Sequence, residues 1–102
     1  MAERITLEEA RLLLWAIRTA IPQGSIWRHY KGARYRVIGV ALRETDAVPM
    51  VIYVNALDTQ DPAWVRPASE WLEEVTLPRG GAERRFTHIK QEIEPNGKTK
   101  ET

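Results

Sequence analysis

The first clear period in the chain runs over residues 6–21. Leu7, Ala10, Leu13, Leu14, Ile17 and Ile21 recur at helical spacing and, at about 100° per residue, share one broad face. This predicts an amphipathic helix. Thr6-Leu7-Glu8-Glu9 is a capping box in which the Thr6 hydroxyl and the Glu9 carboxylate each accept from the other residue's amide. Pro22 and Gly24 then stop the helix. Glu8, Arg11 and Arg18 fall on the opposite side, with Glu8 and Arg11 spaced for a weak ion pair. Leu12 and Trp15 also fall on that polar side. They either lie against a neighbouring loop or form a surface for a partner, and are the candidate interaction residues.

After Gly24 the texture changes to short β-rich runs between turn signals. Ser25–Tyr30, Arg34–Leu42, Met50–Asn55, Ala63–Arg66, Leu72–Leu77 and Arg84–Ile89 read as strands. Lys31-Gly32, Glu44–Pro49, Asp58–Pro62 and Pro78–Ala82 read as the turns and loops between them. Pro67–Trp71 reads as a single helical turn, because proline suits a first-turn position. The end of the chain is polar, lacks apolar periodicity and contains Pro95-Asn96-Gly97, which predicts disorder. The domain plan is an N-terminal helix over 1–23, a β domain over 24–90 and a disordered tail over 91–102. The fold class is mainly β: a small SH3-like barrel or a strongly bent antiparallel sheet of five or six strands, with the helix covering one open end or face.

Composition narrows the chemistry. At 102 residues there is room for one domain with one modest core. The absence of cysteine excludes disulfides and thiolate catalysis and fits a reducing, cytoplasmic setting. No apolar run approaches a membrane span, and Met1-Ala2-Glu3-Arg4 does not open a secretory signal, so no membrane association is expected. His29 and His88 are the only histidines, too few for a three-histidine zinc site, and no phosphate-cradling Gly-rich motif is present. No metal site, catalytic set or cofactor is predicted. The net charge of +1 excludes a uniformly basic surface, yet it sums unlike parts. Trp27–Arg36 holds four cations, three aromatic residues and no acid, whereas Val37–Val75 holds two arginines against seven acids. An anionic partner is therefore to be sought locally.

Within the basic run, strand alternation puts Trp27, His29 and Lys31 on one side and Arg28 and Tyr30 on the other. If Trp27 enters the core, His29 follows it, either as a buried neutral ring or as a ligand-contacting group. Trp64 and Arg66 share a side of their strand, a pairing suited to a planar anion. The plainer alternative packs Trp64 in the core and pairs Arg66 with Glu70, Glu73 or Glu74. Tyr53 and Asn55 share a side of the third strand and place polar tips in reach of a pocket. Arg79, Arg84, Arg85 and Lys90 read as a solvated basic set, with phosphate contact as the alternative.

Trp27-Arg28-His29-Tyr30-Lys31-Gly32, then Tyr35-x-Val37-x-Gly39-x-Ala41, Val51-Ile52-Tyr53, Trp64-Val65-Arg66-Pro67 and Arg85-Phe86 form an ordered series. The series resembles the bacterial and phage domain-of-unknown-function 1653 family from about Gly24 to Phe86. The resemblance implies a small β-rich domain and brings no activity with it; the N-terminal helix lies outside it. This chain has Arg43 where the family tends to carry a histidine, Trp71 where it usually carries a phenylalanine, and Ser69-Glu70 in place of its usual acidic-apolar pair.

These readings favour a non-enzymatic binding module with a basic–aromatic groove of Arg28, Tyr30, Lys31, Tyr53, Trp64 and Arg66, with His29 and Asn55 as ligand or structural groups. Its ligand would be a small nucleotide-like anion or an acidic or phosphorylated segment. The alternative is a protein-interaction or homodimer module acting through Leu12 and Trp15. A phosphate-ester enzyme with His29 as acid–base group, beside Arg28, Lys31 and Arg66, has no nucleophile or metal set to support it. General nucleic-acid binding is a minor variant of the first reading and would be steeply salt-dependent.

Overall fold

A computed structural model describes residues 5–58, 60–93 and 99–101, with the backbone alone described from 91 onward. The capping box forms: Thr6 Oγ1 accepts the Glu9 N–H at 3.1 Å, and the Glu9 carboxylate accepts the Thr6 N–H at 3.3 Å. Helix α1 then runs over Leu7–Ala20. The Ile21 N–H closes it by donating to the Ile17 carbonyl at 2.7 Å, and Gly24 turns the chain away with a φ of 84°, a conformation that glycine adopts freely. None of the 14 helical residues is fully buried. Ala10, Leu13, Leu14 and Ile17 are half-buried, and Ile17 packs on the core beside the wholly buried Ile21. Leu7, expected on the same face, sits at the margin of the apolar stripe and is exposed.

Strands β1 (Ile26–His29), β2 (Arg34–Leu42), β3 (Pro49–Asn55) and β4 (Trp64–Pro67) follow. A short helix α2 (Ala68–Trp71) comes next, then β5 (Glu74–Thr76), β6 (Ala82–Arg84) and β7 (Phe86–Ile89). Five strands form one antiparallel sheet in the order β4-β3-β2-β1-β7, and β5 pairs with β6 in a separate ladder. The sheet is not closed, so the strongly bent antiparallel sheet, not the closed barrel, describes the molecule.

Alternation fixes which side chains reach the core. Trp27, Val37, Val51, Tyr53 and Phe86 face inward, with cross-strand partners Trp27↔Tyr35, Trp27↔His88 and Val37↔Tyr53. Val37 and Val40 are three residues apart, yet both are buried. A register shift between Val37 and Gly39 makes this possible, because the extra residue on β2 restores the inward phase beyond the bulge. Helix α2 sets Trp71 and Ala68 against the inward face. Trp71 stacks on Phe86 with centroids 3.7 Å apart and meets Tyr53 and Trp27 edge-on at 4.9 and 5.9 Å. Trp27 Nε1 donates to Ser25 Oγ at 2.8 Å, so that buried indole is satisfied.

The strand expected over Arg84–Ile89 divides at Arg85, where the chain passes from one ladder to the other. There the Arg85 N–H donates to the Glu73 carbonyl and the Arg85 carbonyl accepts from the Tyr30 N–H, each at 2.9 Å. The strand expected from Leu72 shortens because Leu72 caps α2. Beyond Lys90, β8 (Gln91–Ile93) pairs with β9 (Thr99–Glu101) in a segment whose composition predicts disorder. Residues 94–98 and 102 of that tail lie outside the described residues.

Candidate anion-binding site

The structure separates some of the basic and aromatic candidates and brings others together. Arg28 lies across from Arg34 and Thr87 in register, is exposed, and stands on the side of the sheet opposite Trp27. It therefore does not join Arg66 in one groove. Tyr53 is 8% exposed and belongs to the aromatic core, not to a groove wall. Trp64 is half-exposed at the β4 edge, where its Nε1 donates to Asp61 Oδ2 at 3.0 Å. It neither packs in the core nor meets the basic cluster; Trp71 holds the core position. Asn55 Oδ1 accepts from the Leu57 and Asp58 amides at 2.8 and 3.0 Å, so its role is to turn the chain after β3.

A tighter group forms around Phe86. His29 follows Trp27 to the inner side and sits edge-on to Phe86 at 5.0 Å, with Tyr30 tilted against it at 4.6 Å. Lys31 Nζ lies 5.8 Å from the Tyr30 ring centroid, a cation–π contact. Arg66 approaches Phe86 at 5.9 Å and reaches Glu70 at 3.4 Å, while Arg85 pairs with Glu73. Each pair is partly solvated and uses a terminal guanidinium nitrogen, leaving further donors on both arginines. Three N–H groups in this region are buried and make no hydrogen bond among the described residues: Arg66 Nε, Arg85 Nε and Trp71 Nε1. A buried unmatched donor costs about 1–3 kcal/mol, so three together need a physical account.

Trp71 is not among the sequence candidates, and Arg85 enters only through the phosphate-contact alternative of a basic set. Arg85 reads as one of a solvated basic set, and only the strand switch beside it turns it inward. Trp71 carries the apolar phase of a four-residue helix, too short to show a period. A cavity of about 280 Å³ lies elsewhere, between the end of α1 and the β2 bulge. Its lining residues, Arg18, Pro22, Gln23, Ile38, Gly39 and Val40, include none of the Phe86 group.

The electrostatics match the geometry. Burial, then the neighbouring Arg66, Arg85 and Lys31, hold the His29 pKa below its ordinary 6.5. Burial, then Lys90, lowers that of His88, which stacks on Trp27 at 4.7 Å. His29 Nδ1 accepts the Lys31 N–H at 3.2 Å, which assigns the neutral ring's proton to Nε2. Because both folded-state values are depressed, the unfolded chain takes up more protons as pH falls through 6.5. The two neutral rings thus contribute stability above that pH which is lost on acidification. Melting temperature is expected to fall between about pH 7.5 and 5, and to fall less steeply in His29→Gln/His88→Gln. Calorimetry of both proteins across that range checks this; identical slopes would refute the assignment.

No described helix is long and apolar enough to cross a membrane. No curated protein and no solved structure matches the chain significantly. A family profile does match, over residues 25–88, under the description "Protein of unknown function (DUF1653)". That span begins just before β1, takes in the five-stranded sheet apart from Ile89 together with the Phe86 group, and leaves α1 outside. With most of its length inside the matched span, the chain belongs to the DUF1653 family.

Proposed function

We propose that this chain is a non-enzymatic binding module for a small anion bearing phosphate or carboxylate, held by Tyr30, Lys31, Arg66 and Arg85 beside His29 and Phe86. The observation that carries the reading is the trio of buried, unmatched N–H donors on Arg66, Arg85 and Trp71. They lie beside the partly exposed guanidinium ends of Arg66 and Arg85 and the exposed Lys31, whose charges all act on His29. Guanidinium forks suit the planar or tetrahedral oxygens of such ligands, and Phe86 and Tyr30 supply apolar surface beside them. The reading is of binding rather than catalysis because the acceptor nitrogen of His29 is already engaged by the Lys31 amide. The cysteine-free sequence accords with work in a reducing cytoplasm.

Calorimetric titration with inorganic phosphate, AMP and a phosphorylated acidic peptide tests the reading. At least one is expected to bind, and Arg66→Ala and Arg85→Ala to weaken it by about tenfold or more, as loss of a charge-assisted bond implies. Lys31→Ala, a change at an exposed side chain, supplies a variant in which folding is not at issue. Bound anion would also offset the repulsion acting on His29, so its imidazole pKa, followed by NMR, should rise on saturation. Absence of heat and of a His29 shift with all three ligands would overturn the reading, as would wild-type affinity in all three variants.

A further inference from the structure

The outward face of α1 carries apolar residues that no described residue covers. Leu12 and Trp15 are 67% and 68% exposed. They stand opposite the stripe through which Ile17 meets the core, so both faces of the helix are apolar. Glu8, Thr19 and Arg18 are exposed beside them. At about 100° per residue, Glu8, Arg11, Leu12, Trp15, Thr19 and Arg18 lie within one 120° sector, with Arg11 spaced to pair with Glu8 of its own helix.

Their order along that sector is self-complementary. The first turn is acidic, with Glu8 and Glu9, and the last turn is basic, with Arg18. Leu12 and Trp15 lie between them. In an antiparallel pair of identical helices related by a two-fold axis, each contact occurs twice with the partners exchanged. If Leu12 of one copy meets Trp15 of the other, Glu8 and Glu9 of the first come level with Thr19 and Arg18 of the second. The apolar centre is thus flanked at both ends by opposite charges, and acidic N-terminal turns face basic C-terminal turns. A parallel pairing would instead set Glu8 against Glu8 and Arg18 against Arg18.

We propose that α1 is a homodimerisation element that pairs antiparallel with α1 of a second copy, Leu12 and Trp15 forming the apolar centre and Glu8 and Arg18 the flanking ion pairs. This surface shares no residue with the Phe86 group, so it stands or falls independently of the anion-binding reading. It also lies outside the span matched by the family.

Sedimentation of the full chain over a concentration series tests the proposal. The wild type is expected to form a dimer by the high-micromolar range, and Trp15→Glu to remain monomeric there with an unchanged circular dichroism spectrum. Glu8→Arg and Arg18→Glu are each expected to weaken association by about threefold to tenfold, and the double variant Glu8→Arg/Arg18→Glu to restore it. A monomeric wild type would overturn the proposal, and so would a dimer indifferent to Trp15→Glu. Singles that do not weaken association, or a double that does not recover it, would overturn the antiparallel register.

Discussion

Trp71→Ala is expected to cost about 3–5 kcal/mol of folding stability. A domain of this size holds roughly 5–15 kcal/mol in total, so much of the population should unfold at moderate temperature. The magnitude follows from what the indole touches. Trp71 is fully buried, stacks face to face on Phe86 and meets Tyr53 and Trp27 edge-on. Truncation removes those contacts at once and leaves a cavity between α2 and the sheet that rigid aromatic neighbours cannot close. Trp71→Phe should cost less than about half as much, because a ring still stacks on Phe86 and an unmatched buried N–H disappears with the indole. Urea unfolding followed by far-ultraviolet circular dichroism measures both. A Trp71→Ala variant within about 1 kcal/mol of wild type would show that the aromatic cluster is not the centre of stability.

Ile21→Ala is expected to cost about 2–5 kcal/mol. Ile21 is 0% exposed and belongs to the same core cluster as Trp27, Val37 and Phe86. It is also the residue just past the end of α1, so it anchors a helix that is otherwise only half-buried. Part of the loss should therefore appear as local opening. Hydrogen exchange is expected to show α1 amides losing protection before those of β2 and β3, because the helix makes fewer buried contacts than the central strands. Uniform loss across helix and sheet would mean that the two unfold as one unit.

Local signals made much of this architecture legible. The Thr6–Glu9 capping box and Pro22 bracket α1, and the Arg34–Leu42 run matches β2 end to end. These features depend on neighbours within a few residues, where propensity and hydrogen-bond geometry decide the outcome. Lys31-Gly32 closes the first hairpin for the same reason: Gly32 takes a φ of 113°.

The site was less legible because it is made by distant parts of the chain. Strand alternation correctly carried His29 inward behind Trp27. It also placed Arg28 on the other side, and only the register Arg28↔Arg34 and Arg28↔Thr87 shows that this side has no part in the Phe86 group. Trp64 and Trp71, seven residues apart, were the reverse case. Sharing a strand side with Arg66 makes Trp64 the candidate for a packed or ligand-stacking ring, whereas the tertiary fold leaves it at a sheet edge and sends Trp71 into the core.

The sequence by itself determined the class of the fold and the positions of its main elements, because these follow from periodicity, caps and turn residues. The tertiary structure decided the bulge that keeps Val37 and Val40 both inward, and the failure of the sheet to close. It also decided the change of ladder at Arg85 that gathers Arg66, Arg85 and Trp71 around Phe86. Those features depend on which strands meet and in what register. Such long-range pairings are chosen by the burial of the whole aromatic core, and no short window of sequence encodes them.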